Sequence, residues 1–151
     1  MSLLLNLIWL LLGGWLMALC WFVAAVVMAV TVLLLPWSRA AFAIGVYTLW
    51  PFGREAIDRR VLTGHTDIGT SDLGMIGNVV WFCLAGWWLA LGHVVAAILF
   101  AITLIGLPLA WAHLKLAGIS LAPIGKTVVD SDVADAARRS HAAEQLAKIR
   151  G

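Results

Sequence analysis

The chain has few charged residues, and they are missing from two long stretches. Residues 3–37 contain no Asp, Glu, Lys or Arg, and residues 73–112 contain one histidine and none of these four types. The composition is 63% hydrophobic and 12% charged, with a mean hydropathy of +0.99. A soluble domain of this length needs more polar surface. The composition therefore excludes that class and predicts an integral membrane protein.

Patterns that carry enzymatic chemistry are also missing. Cys20 and Cys83 both lie in apolar runs, so they do not indicate a disulfide framework. The four histidines are scattered, without Cys, Asp or Glu at ligand spacing, so no metal site is predicted. No glycine-rich phosphate loop and no nucleophile-elbow serine is present. We therefore expect no enzymatic activity, no cofactor and no nucleic-acid partner.

Carboxylates are absent from the apolar runs, because all eight acidic residues lie within 55–72 or 130–144. Cation channels and proton relays usually need Asp or Glu inside the membrane. The residues near the membrane are instead basic: Arg39, Lys115 and, when protonated, His93 and His113. If the protein conducts an ion, the sequence favours an anion. Alternatively, Arg39 and Lys115 extend to the phosphates of anionic lipids.

The strongest positive feature is an internal repeat. Residues 6–57 align with residues 78–129 at an offset of 72, without a gap, and 18 of the 52 pairs are identical. All four prolines fall into equivalent pairs, Pro36 with Pro108 and Pro51 with Pro123. A repeat of this quality predicts one membrane unit built twice.

Each unit contains a charge-free stretch, a proline, a segment of about 14 residues and a Pro-x-Gly turn. We predict a first repeat at 3–57, a cytoplasmic linker at 58–74, a second repeat at 75–129 and a cytoplasmic tail helix at 130–151. Basic residues follow each charge-free stretch, and the positive-inside rule places both clusters in the cytoplasm. Each unit then crosses the membrane an even number of times, and the repeats are parallel.

The charge-free stretch allows two arrangements. A helix over the 33 residues 3–35 is roughly 50 Å long, against a hydrocarbon core of about 30 Å. It is therefore either one strongly tilted helix or a hairpin of two short helices that turns near 19–21 and near 91–93. If the proline-initiated segments spanned, they would bury Arg39 and Lys115 at a cost of at least about 2.5 kcal/mol each. This favours the hairpin, with 37–50 and 109–122 as amphipathic helices in the cytoplasmic interface.

Five groups of residues form a recognisable pattern: Leu5–Trp9 with Gly13–Trp15, Gly77–Trp81 with Gly86–Trp88, Ile105–Pro108, Pro51–Ile57 and Pro123–Lys126. This pattern resembles the YccF family, bacterial inner-membrane proteins with two copies of an inner membrane component domain. The resemblance covers about residues 3–130. It implies an inner-membrane location and two repeated units, and it implies no activity.

The predicted fold is an all-α integral membrane protein with two parallel tandem repeats, each a short transmembrane hairpin plus an interfacial helix. Asn6 and Asn78 are equivalent amides in apolar helices, so they either cross-link helices or line a pore. Two functions follow. One is an anion-preferring pore formed by a homo-oligomer, with Arg39, Lys115 and His113 at its cytoplasmic mouth. The other is a non-conducting adaptor that binds anionic lipid and a protein partner.

Overall fold

The computed structural model describes residues 1–31 and 34–150. The elements in chain order are α1 (Ser2–Trp9), α2 (Trp15–Val30), α3 (Leu35–Leu49), β1 (Arg54–Asp58), α4 (Arg59–Thr63), α5 (Asp72–Trp81), α6 (Trp87–Ala101), α7 (Leu107–Leu121), β2 (Lys126–Asp130) and α8 (Ser131–Arg150). Helices α1 to α3 with β1 form the first repeat, and α5 to α7 with β2 form the second.

Each repeat begins with one long helical run, because a π-turn joins its first two helices. These π-turns are Leu10–Gly14 and Phe82–Gly86, and the runs contain 29 and 30 residues. Both runs are long and apolar enough to cross a membrane, and only 22% of the most apolar window of each is buried. At Gly13 the backbone leaves helical geometry, with φ at 115°, which only glycine adopts without strain.

The predicted hairpin turns near 19–21 and 91–93 were wrong. Both segments lie inside continuous helices, α2 and α6. Trp21 and His93 are fully buried there, where α2 meets α6. The long runs instead depart from α-helical geometry at their π-turns, where Gly14 and Gly86 leave room for the rings of Trp9 and Trp81.

Each proline-initiated helix packs antiparallel to the helix before it and touches both repeats. α3 follows α2, and Gly45 of α3 lies against Trp21 and Phe22. Near its start, the ring of Trp37 meets the Ile124 side chain over Gly77 of the second repeat. Past its end, Phe52 is hydrogen-bonded to Asn6 of its own repeat. Ile124 and Phe52 are equivalent positions, so both ends of α3 lie near a turn that precedes a strand.

Strands β1 and β2 pair antiparallel, which the prediction of an all-α fold missed. Ala56 pairs with Val128, its own repeat equivalent, so a pseudo-two-fold axis passes through this pair. The same symmetry relates Trp21 to His93, which touch in the core. Ser2 lies beside Gly53, so the first repeat begins and ends on the same side of the molecule. The polar strands, α4 and α8 also meet there.

Candidate functional site

Asn6 and Asn78 close the two repeats with the same pair of hydrogen bonds. The Asn6 amide donates to the carbonyl oxygen of Phe52 and accepts from the N–H of Phe52, both at 3.0 Å. Asn78 makes the equivalent pair with Ile124, also at 3.0 Å. Both ends of each amide therefore hold the turn after a proline-initiated helix. Each amide thus links the first helix of its repeat to the turn after the last helix, and Asn78 also lines a pocket beside the linker.

Trp9 and Trp81 make a second pair of equivalent hydrogen bonds, to the ends of α3 and α7. The indole N–H of Trp9 donates to the carbonyl oxygen of Thr48 at 2.7 Å, and Trp81 donates to Ser120 at 2.7 Å. These carbonyls lie in the last turns of α3 and α7, where no intrahelical donor is available. Each indole lies against a glycine of its own run. A Cβ added to Gly14 would lie 2.0 Å from Nε1 of Trp9, and one added to Gly86 would lie 2.9 Å from Nε1 of Trp81.

A polar chain of three side chains crosses the core between the repeats. The indole N–H of Trp21 donates to Nε2 of His93 at 3.4 Å, and Nδ1 of His93 lies 2.9 Å from Nδ1 of His113. Indole is a donor only, so neutral His93 carries its proton on Nδ1 and donates it to His113. The His113 ring also stacks on Phe100. These hydrogen bonds have no symmetric counterpart, because Ala41 of the first repeat stands at the position equivalent to His113.

The three predicted mouth residues lie in different surroundings. His113 is only 3% exposed, so a position at a cytoplasmic mouth was wrong for this side chain. The ammonium group of Lys115 lies 3.8 Å from Oε1 of Glu55 on β1, and Arg138 of α8 pairs with Oε2 of the same carboxylate. Arg39 is exposed near the start of α3, and no ion pair of the described residues includes it.

A second ionic cluster orders the linker. The Arg59 guanidinium donates to both oxygens of Asp67 at 2.7 and 2.6 Å, and these hydrogen bonds lower the pKa of Asp67 to about 2. Asp67 also accepts from the backbone N–H groups of Gly69 and Thr70. Nearby, hydrogen bonds from Arg60 lower the pKa of Asp58. Sequence reasoning missed this clamp, although an Asp two residues before a glycine is a common turn signal.

Two structural findings bear on bound ligands. Within residues 1–31 and 34–150, no three His, Cys, Asp or Glu side chains come together to hold a metal ion. Over the same ranges, the only buried side-chain nitrogen or oxygen without a hydrogen-bond partner is Nε1 of Trp37. The polar atoms inside the helical part are therefore almost all engaged with other protein atoms.

Comparisons with known proteins agree with the repeat. The family model of the inner membrane component domain, YccF, matches twice, at residues 4–54 and 76–126. The chain is 35% identical over 139 residues to the inner membrane protein YccF of Escherichia coli (strain K12) and of Shigella flexneri. These alignments cover 91% of this chain and 94% of each relative. No solved structure matches the chain significantly. The chain therefore belongs to the YccF family of inner membrane proteins.

Proposed function

We propose that this chain is a non-conducting scaffold of the inner membrane, which contacts anionic lipid and recruits a protein partner through α8. The supporting observation is that, in the described part of the chain, buried polar side-chain atoms are engaged with protein, apart from one indole nitrogen. An ion path needs polar groups with free hydrogen-bonding capacity along its wall. The exposed side chains of the long runs, at 3–30 and 73–101, are hydrophobic, so one copy of the chain offers no such wall.

The alternative from the sequence, a homo-oligomeric anion pore, has weaker support. It assigned the pore wall to Asn6 and Asn78, whose amides are both occupied by turn peptides. It also assigned Lys115 to the mouth of the pore, and the ammonium group of Lys115 lies 3.8 Å from a Glu55 carboxylate oxygen, which reduces its attraction for an anion. The scaffold role uses the same residues without requiring assembly.

The end of the molecule where β1, β2, α4 and α8 meet is called the polar end. The proposed topology places this end, and hence both termini, in the cytoplasm. Arg54, Arg59, Arg60 and Lys126 lie at this end, in agreement with the positive-inside rule. Both ends of α3 lie near turns of this end, which supports a position in the interface rather than across the bilayer. The exposed guanidinium of Arg39 can then reach the phosphates of anionic lipids.

α8 carries the proposed partner surface. Only Ala134 of this helix is buried, and residues 142–150 are exposed throughout. Arg138 fixes the first half of α8 to Glu55 of β1. In the second half, Leu146 and Ile149 lie on one face and are 50% and 79% exposed. An apolar helix face flanked by Lys148 and Arg150 suits a partner groove with an acidic rim.

Photocrosslinking in living cells tests this proposal. A photoreactive amino acid at Leu146 or Ile149 should give one discrete adduct, because both residues face the partner. The same amino acid at Glu144, on the opposite face of α8, should give none.

An additional Ile149→Glu substitution should abolish the adduct from position 146 while the membrane level of the protein is unchanged. Equal adducts from positions 144 and 146, or no adduct from any position, would overturn the proposed partner surface.

A further inference from the structure

A pocket with a cavity volume of about 520 Å³ lies where the linker, the start of α5 and β2 meet. Its charged lining consists of Asp58, Arg60, Asp72 and Lys126. The volume is in the range that holds small ligands. The pocket lies at the border between the polar end and the apolar run of the second repeat, so it can reach both water and lipid.

The charges of this pocket favour a zwitterion. Arg60 and Asp58 largely neutralise each other, because the guanidinium binds both carboxylate oxygens at 3.1 and 2.9 Å. Lys126 is only loosely paired, 3.9 Å from Asp58. No ion pair among the described residues includes Asp72. The pocket therefore offers one available ammonium and one available carboxylate to a ligand.

The pocket continues into an apolar stripe on the lipid-facing side of the long helix. Asp72, Met75, Val79 and Phe82 are spaced i, i+3, i+7 and i+10, so they share one helix face. The three apolar members are 63%, 61% and 45% exposed. The order along this face, charged and then apolar, matches a phospholipid with its headgroup at the polar end.

We propose that this pocket binds one phospholipid whose headgroup carries a phosphodiester and a primary ammonium, as in phosphatidylethanolamine. Lys126 binds the phosphate, Asp72 binds the ammonium, and the acyl chains follow Met75, Val79 and Phe82. The ammonium can donate hydrogen bonds to Asp72, whereas the trimethylated ammonium of phosphatidylcholine cannot. A purely anionic headgroup would leave the Asp72 carboxylate without a cation.

The lining of this pocket comes from the linker and the second repeat. Gly69, Thr70 and Ser71 of the linker form one wall, and the Arg59–Asp67 clamp orders that wall. The first repeat has Arg54 at the position equivalent to Lys126, and Arg54 does not line this pocket. The repeat thus supplies a matched control, because Arg54→Gln removes the same charge outside the pocket.

Native mass spectrometry of the full chain in detergent micelles tests the site. The protein is mixed with equal amounts of phosphatidylethanolamine, phosphatidylcholine and phosphatidylglycerol that have identical acyl chains. We expect one retained phosphatidylethanolamine, preferred about tenfold, since one charge-assisted hydrogen bond accounts for a factor of this size. Glycerophosphoethanolamine, which lacks acyl chains, should not compete at the same concentration.

The variants separate the two headgroup contacts. Lys126→Gln should lower retention of phosphatidylethanolamine about tenfold, and Arg54→Gln should leave it unchanged. Asp72→Lys should shift the preference to phosphatidylglycerol.

Equal retention of the three lipids by the wild type, or equal losses in Lys126→Gln and Arg54→Gln, would overturn the site. The scaffold proposal does not depend on this result, because photocrosslinking from α8 is measured independently.

Discussion

Replacing Gly14 with alanine should destabilise the first repeat strongly, although the backbone of Gly14 is helical and accepts alanine. The new Cβ would lie 2.0 Å from Nε1 and 2.2 Å from Cδ1 of Trp9, so the indole must leave its position. Loss of the hydrogen bond to Thr48 and partial exposure of a side chain that is now 1% exposed together cost about 3–5 kcal/mol.

Two other glycines make the prediction graded. A Cβ on Gly86 would lie 2.8 Å from the carbonyl oxygen of Ser120 and 2.9 Å from Nε1 of Trp81, a smaller overlap that costs about 1–3 kcal/mol. A Cβ on Gly118 meets nothing within 4 Å, so Gly118→Ala should be neutral or stabilising by up to about 1 kcal/mol. Unfolding by SDS in mixed micelles, followed by circular dichroism, gives the order. Equal stability of the Gly14→Ala and Gly118→Ala variants would refute the reasoning.

Three further predictions concern single contacts. Asn78→Ala should lower the free energy of unfolding by about 2–4 kcal/mol, measured by the same SDS titration, since it leaves two buried backbone groups unpaired. A double-mutant cycle of His93→Ala and His113→Ala should give a coupling energy of about 0.5–3 kcal/mol; additive effects would mean that the two rings do not interact. The pKa of Asp67 is lowered to about 2 in the folded protein, so the clamp to Arg59 is complete above pH 3.8 and is lost as the pH falls toward 2. As the pH falls from 3.8 toward 2, amide hydrogen exchange in the linker of the wild type should therefore become faster relative to the exchange of an Arg59→Gln variant. The variant itself should show no such increase, because it lacks the clamp.

The sequence predicted the duplication, and the positions that are identical between the copies include residues that hold each repeat together. Asn6, Trp9, Gly14 and Pro51 are each identical to their repeat equivalents, and all except Pro51 are now seen in the contacts that close the first repeat. Identity between copies is informative here because both copies need the same turn and the same helix ends. The membrane class followed from the charge-free runs, because it depends on composition alone.

The sequence could not predict that the charge-free stretch of each repeat forms one long helical run with a π-turn. A π-turn has no fixed signature, and the glycines at its end were equally consistent with close helix packing. The strands were missed because β1 contains three charged residues and pairs only with the other repeat, through Ala56 and Val128. The burial of His113 was missed because spacing along the chain does not show that the rings of Trp9, His93 and Phe100 lie around it.

Chloride efflux from proteoliposomes tests the central claim, that the membrane part of this chain is a scaffold without an ion path. Because Asn6 and Asn78 are occupied by turn peptides, we predict that the wild type releases chloride at the rate of protein-free liposomes. Protein incorporation is checked in the same vesicles. Efflux clearly above that rate, lost in variants that still fold and incorporate but carry Arg39→Gln or Lys115→Gln, would contradict the scaffold and support the anion pore.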